Sequence, residues 1–186
     1  SGSVNSDDAN FHYQLLHFIR SIVGESFPIL MDISGEQLEN CLKQRTVRPS
    51  FIKPNTHELE ELIGRKIQSI KELITILHDP IFDNVETIMI SQGEDGALVK
   101  HGTTIYDIQI PKVAVVNTTG CGDSTVGGMA YAISQGYSIE DSLRYAMACG
   151  ISNSLFETNG TIDKNQVDKF IDDIQLTKIK ELSINR

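Results

Sequence analysis

Tryptophan is absent, aromatic residues make up only 6% of the chain, and acidic side chains outnumber Lys and Arg by 25 to 16. The resulting net charge of −9 argues against nucleic acid as a partner, because phosphate backbones are held by a basic face. The same sign is awkward for an anionic small molecule, although a few backbone amides, one lysine and a bound cation reverse a field locally. Cysteine is scarce. Cys41, Cys121 and Cys149 are odd in number and widely spaced, which excludes a disulfide framework and a zinc pattern and points to a reducing compartment. His12, His17, His57, His78 and His101 show no ligand spacing. No stretch reads as a signal peptide and no apolar run is long enough to span a bilayer, so a soluble cytoplasmic protein without a membrane partner is expected. What is present is ordinary for one globular domain over residues 1–186: 40% apolar and 22% charged residues, with no repeat, low-complexity stretch or linker.

Phe11, Leu15, Phe18, Ile19 and Ile22 share one helical face, with Ser6, Asp7 and Asp8 as capping candidates. Pro28 to Ile33 reads as a short buried strand leading to Asp32. Ser34 to Gln37 has capping-box spacing before a helix with Leu38 and Leu42. Phe51 to Lys53 reads as a strand, followed by helices carrying Leu59, Leu62 and Ile63, then Ile70, Leu73, Ile74 and Leu77. Thr87 to Ile90 is a buried strand, and Ala97 to Lys100 and Thr104 to Ile110 are paired strands around His101-Gly102. Two helices follow, divided by Gly136 as a C-terminal cap and Ser138 as the next N-cap. The tail from Asp163 is helical through Val167, Phe170, Ile171 and Ile174. Alternating strands and helices predict an α/β layer architecture with a mostly parallel sheet. Asp32, Lys53 and Ser91 fall at predicted strand ends, where ligands sit in such sheets.

The most informative segment is N-T-T-G-C-G-D-S-T-V-G-G, from Asn117 to Gly128. The apolar, β-branched run Ile110 to Val116 before it suits an extended segment. Val126, Met129, Ala130 and Ile133 after it recur at helical spacing. A glycine-rich turn therefore opens a helix whose first amides lack intrahelical acceptors, which makes an anion site with Asp123 beside it. Taken alone, the glycines could equally be a tight turn, and Asp123 could be ordinary compensation of the helix dipole. Lys53-Pro-Asn-Thr-His-Glu58 reads first as Asn55 capping a helix with Glu58 closing the capping box. Ser91-Gln-Gly-Glu-Asp-Gly96 reads first as a hairpin turn.

G-C-G-D-S, preceded by N-T-T and followed by Gly-Gly, resembles the G-A-G-D signature of the ribokinase-like sugar kinases, phosphofructokinase-B branch. K-P-N-x-x-E-L and S-x-G-x-x-G resemble two further motifs of that family, in the order the family has them. The resemblance implies a Rossmann-like, three-layer ribokinase-type sheet with helices on both faces. It also implies ATP and Mg2+ as cofactors and a sugar phosphate as acceptor. Asp123 would be the base for the sugar hydroxyl, with Gly120, Cys121 and Gly122 forming the anion hole. Lys53, Ser91, Gly93, Glu94 and Gly96 would line the ATP phosphates, and Asn55 and Glu58 would hold the magnesium shell. Asn153, with Ala146 and Cys149, would border the nucleotide. The motif wording looks most like tagatose-6-phosphate kinases and next like 1-phosphofructokinases; a nucleotide-binding module without catalysis is the alternative.

The resemblance covers only the C-terminal part of a family member, so the sheet is expected to be incomplete on its N-terminal side. A homodimer, or pairing with the absent half, is the expected consequence. Ser1-Gly2-Ser3-Val4 resembles a turn of the same family and is equally readable as a cloning remnant. Cys121 stands where the family usually has alanine, either as a tolerated small residue or as a thiol favoured by the helix start.

Overall fold

The computed structural model describes residues 8–44, 46–83 and 85–179. The expectations for Ser1 to Val4, Ser6 and Asp7 lie outside these residues. Chain order is α1 (Phe11–Val23), β1 (Leu30–Met31), α2 (Gly35–Lys43), β2 (Phe51–Ile52), α3 (Thr56–Ile63) and α4 (Ile70–Ile76). Then come β3 (Thr87–Ser91), β4 (Ala97–His101), β5 (Thr104–Gln109), α5 (Cys121–Ser134), α6 (Ile139–Ser154), α7 (Lys164–Asp173) and β6 (Gln175–Ile179). The strands form one six-stranded sheet in the order β1-β2-β3-β4-β5-β6. β1, β2 and β3 are parallel, with Leu30 opposite Phe51 and Phe51 opposite Thr87. Among the described residues no helix is long and apolar enough to cross a membrane.

The contacts divide the chain into two compact units, one of residues 8–92 and 98–106 with Ile179, the other of residues 93–97 and 107–178. The first unit is built on the apolar run of β3, whose Ile88, Met89 and Ile90 are fully buried. Leu16, Leu38, Leu42, Leu59, Leu73 and Phe82 complete that core. Phe18 and Ile22 on the opposite face of α1 stay 61% and 67% exposed. Buried Arg20 ends α1 by donating from Nη1 to the carbonyls of Gly24, Glu25 and Phe27. The second unit is helical at its centre, with α6 packed between α5 and α7.

Several local expectations change. α1 starts after Asn10, and Asp8 accepts from the Asn10 amide instead of capping the helix directly. Ser34 precedes α2 without a side-chain cap, because Gln37 turns away to accept from the His12 amide and donate to the Asp8 carbonyl. The strand expected over Pro28 to Ile33 shrinks to Leu30–Met31. The extended segment expected over Ile110 to Val116 lies outside the strands, and the amides of Val116 and Asn117 both donate to the Ser154 carbonyl. On α5 the buried residues are Thr125, Gly128, Met129 and Ala132, about one position off the apolar stripe read from the sequence. β6 was not read from the sequence, since its exposed, mixed-polarity residues carry little strand signal.

Candidate active site

At the carboxyl ends of the parallel strands, Asp32 follows β1, Lys53 follows β2 and Ser91 closes β3. Buried Lys53 places Nζ 3.4 Å from Asp32 Oδ1, so its charge is held in place by a carboxylate. Asn55 bridges to Ser91, the Ser91 amide donates to the Pro54 carbonyl, and the Thr56 hydroxyl donates to the Ser91 carbonyl. Asn55 also caps α3 in a complete capping box: its Oδ1 accepts from the Glu58 amide at 2.9 Å, and Glu58 Oε2 accepts from the Asn55 amide at 2.8 Å. Lys53, Asn55, Glu58 and Ser91 are thus brought together by backbone and cap.

The capping box also decides how a magnesium ion would fit. Asn55 Oδ1 and one Glu58 oxygen are occupied, and among the described residues no three His, Cys, Asp or Glu side chains gather as a cage. Glu58 retains a second carboxylate oxygen. That donor set suits a hydrated ion held mainly by phosphate oxygens, which is magnesium's usual preference.

Gly93 opens a short 3-10 turn, Gly93–Asp95, and Gly96 follows it, with φ of 62° and 92°. Gly93 has open space around it, and Glu94 is exposed. A Cβ on Gly96 would overlap the Ile108 carbonyl, so this glycine is required by the close approach of β5.

In the second unit, Gly120 adopts φ 82° at the head of α5. The Cys121 amide is already turned onto the Thr118 carbonyl at 3.3 Å, whereas the Gly122 amide has no acceptor among the described residues. Asp123 is exposed in the first turn, where the helix dipole favours a carboxylate. Beside it opens a cavity of about 390 Å³ lined by Asp123, Ser124, Gly127, Tyr131, Tyr145 and Ile162. Tyr131 and Tyr145 stack there with ring centroids 5.3 Å apart. Burial, with smaller contributions from Cys149 and the neighbouring tyrosines, pushes the Tyr145 hydroxyl above its usual range.

Two asparagines hold this turn. Asn117 accepts from the Thr119 amide and donates to the Glu157 carbonyl and Asn159 Oδ1. Asn153 is fully buried under the turn. Thr125 adds a hydroxyl bond to the Cys121 carbonyl at 2.8 Å. No sequence pattern assigns a role to Asn117, Ser124, Thr125 or Gly160, although the N-T-T before the glycines is a signal that could point to Asn117. Gly120, Cys121, Gly122, Asp123 and Asn153 are brought together here.

Residues 1–153 match the pfkB family of carbohydrate kinases. A tagatose-6-phosphate kinase of Staphylococcus epidermidis is 36% identical over 151 residues, which cover 81% of this chain and 48% of that protein. A crystal structure of a proposed phosphofructokinase from Staphylococcus aureus superposes with a TM-score of 0.80 at 28% identity, over 96% of this chain and 56% of that one. The phosphofructokinase-2 of Escherichia coli, in complex with potassium, gives 0.77 at 23% identity, over 89% and 52%, and so shares the fold. The chain spans about half the length of these relatives. The expected α/β fold is the one these structures have.

Proposed function

This chain belongs to the pfkB family of carbohydrate kinases, and we propose that the protein carrying it transfers the γ-phosphoryl group of ATP to a hydroxyl of a sugar phosphate. The observation that carries this reading is the head of α5: a left-handed glycine, an amide at Gly122 with no acceptor among the described residues, and a carboxylate at Asp123 within one turn. Asp123 removes the proton from the acceptor hydroxyl as its oxygen attacks the γ-phosphorus and the bond to the ADP oxygen breaks. The Gly122 amide and the dipole of α5 stabilise charge on the group in transit, and Gly120 sets their direction. Cys121 contributes its small side chain, since its amide is already engaged. Such transfer rests on positioning and electrostatics.

Lys53, Ser91, Gly93, Glu94 and Gly96 serve the nucleotide phosphates in this reading, and Glu58 with Asn55 steadies the hydrated magnesium, which supplies charge neutralisation when bound. Tagatose 6-phosphate is the favoured acceptor, supported by the wording of the motifs and the identity to the Staphylococcus epidermidis kinase. Fructose 1-phosphate is the second.

The test is Asp123→Asn in the intact protein, assayed against both sugar phosphates, with ATP affinity measured in parallel. Turnover is expected to fall roughly 10²–10⁴-fold, the usual cost of losing a general base, with ATP affinity retained. Equal loss of turnover and ATP binding would refute the assignment of the base.

A further inference from the structure

We infer that Asn153 is the positioning residue that locks the anion-binding turn onto α6, and that it does not contact nucleotide. The inference rests on the kinase reading above for its catalytic consequence, and on geometry alone for the lock. The Asn153 side chain is fully buried near the end of α6. Its Nδ2 donates to the Thr119 carbonyl at 3.0 Å and lies 3.4 Å from Cys121 Sγ. Its Oδ1 accepts from the Ser124 hydroxyl at 3.1 Å and from the Gly160 amide at 2.7 Å. An amide side chain has two donors and an acceptor with two lone pairs, so these partners use its whole capacity and leave nothing for a ligand.

The four partners bracket the catalytic turn. Thr119 and Cys121 lie on either side of Gly120, Ser124 follows Asp123, and Gly160 lies against Gly120, where a Cβ would come within 3.0 Å of the Gly160 amide. One buried amide therefore fixes the direction of the Gly122 amide and the place of Asp123 in the first turn. Removing this one buried amide forfeits all four bonds at once, and because they share a single side chain their loss acts on the turn as a unit.

The experiment compares the intact protein with Asn153→Ala and Asn153→Asp, reading the alkylation rate of Cys121 by mass spectrometry together with kcat and the KM for ATP. Cys41 and Cys149 are buried and report loss of the fold by becoming labelled. In Asn153→Ala, Cys121 is expected to label several-fold faster with Cys41 and Cys149 still protected. kcat should fall on the order of 10²-fold, the cost of a small misplacement of catalytic groups, while the KM for ATP changes little.

Asn153→Asp is the conservative arm. Ionised, the new carboxylate opposes the Thr119 carbonyl; protonated, it donates to that carbonyl and restores the lock. Burial raises such a carboxyl, and Cys121 is the titratable group among its partners. The labelling rate of this variant relative to the parent at the same pH should therefore fall toward one as pH is lowered, a recovery that Asn153→Ala cannot show. Unchanged Cys121 labelling and kcat in both variants, or a loss confined to ATP KM, would overturn the inference. Turnover retained by Asp123→Asn would instead overturn the kinase reading, and the thiol measurement would still judge the lock.

Discussion

Gly120 sits at φ 82°, a backbone region that costs a side chain about 1–2 kcal/mol, and a Cβ there would also press on Gly160 and Asn159. Gly120→Ala is therefore expected to lower stability by at least that amount in urea denaturation and to reduce turnover further by displacing the Gly122 amide. An unchanged midpoint would show that the turn relaxes around the methyl group. The glycine and the neighbouring Asp123 were legible in the sequence because both requirements are local, a tight turn and a carboxylate in a first turn. The hydrogen bonds of Asn153 were not legible, since they run to residues 7 to 34 positions away and only the fold brings them together. Lys53 was legible as a cation; the Asp32 carboxylate that holds it was visible only as a neighbouring strand end.

Helices α5 and α6 meet through small side chains. A Cβ on Gly128 would lie 2.8 Å from Cys149 Sγ and 3.0 Å from its Cβ, and one on Gly150 would overlap the Thr125 hydroxyl. A Cβ on adjacent Gly127 would meet no other described group within 4 Å outside its own turn of helix. The two glycines therefore separate propensity from packing on one helix. Gly127→Ala should stabilise by about 0.5–1 kcal/mol, the ordinary helix-propensity gain. Gly128→Ala makes the same gain but meets overpacking of about 1–3 kcal/mol, so its net effect is destabilising. Thermal melts of the pair check this, and equal shifts would mean that the helices slide apart at little cost. The spacing of Val126, Met129, Ala130 and Ile133 marked the helix correctly, while its buried face, Thr125, Gly128, Met129 and Ala132, is set by the close contact with α6, which admits small residues beside Met129. Capping spacing was likewise an incomplete guide. Asn55 and Glu58 close their box, whereas Gln37 at the equivalent place on α2 finds partners on α1's entry.

Across the whole chain, alternating strands and helices made the α/β class legible, but not its division into two compact units. No linker marks that division, because the path leaves and re-enters each unit within the residues 92–107. Each unit carries one buried thiol, Cys41 on α2 and Cys149 on α6. Burial pushes both from 9.0 up to about 11, with Arg48 pulling Cys41 slightly the other way. The folded state thus holds these protons more tightly than the unfolded chain does. Their contribution to stability is complete below about pH 9 and is lost as pH rises from there through about 11. Tyr145, also raised by burial, acts in the same direction at the upper end. The melting temperature should therefore hold steady up to about pH 9 and fall steeply above it, and replacing both buried thiols with alanine should flatten that fall. A fall just as steep in the double variant would assign alkaline unfolding to other groups and show that the two buried thiols do not govern it.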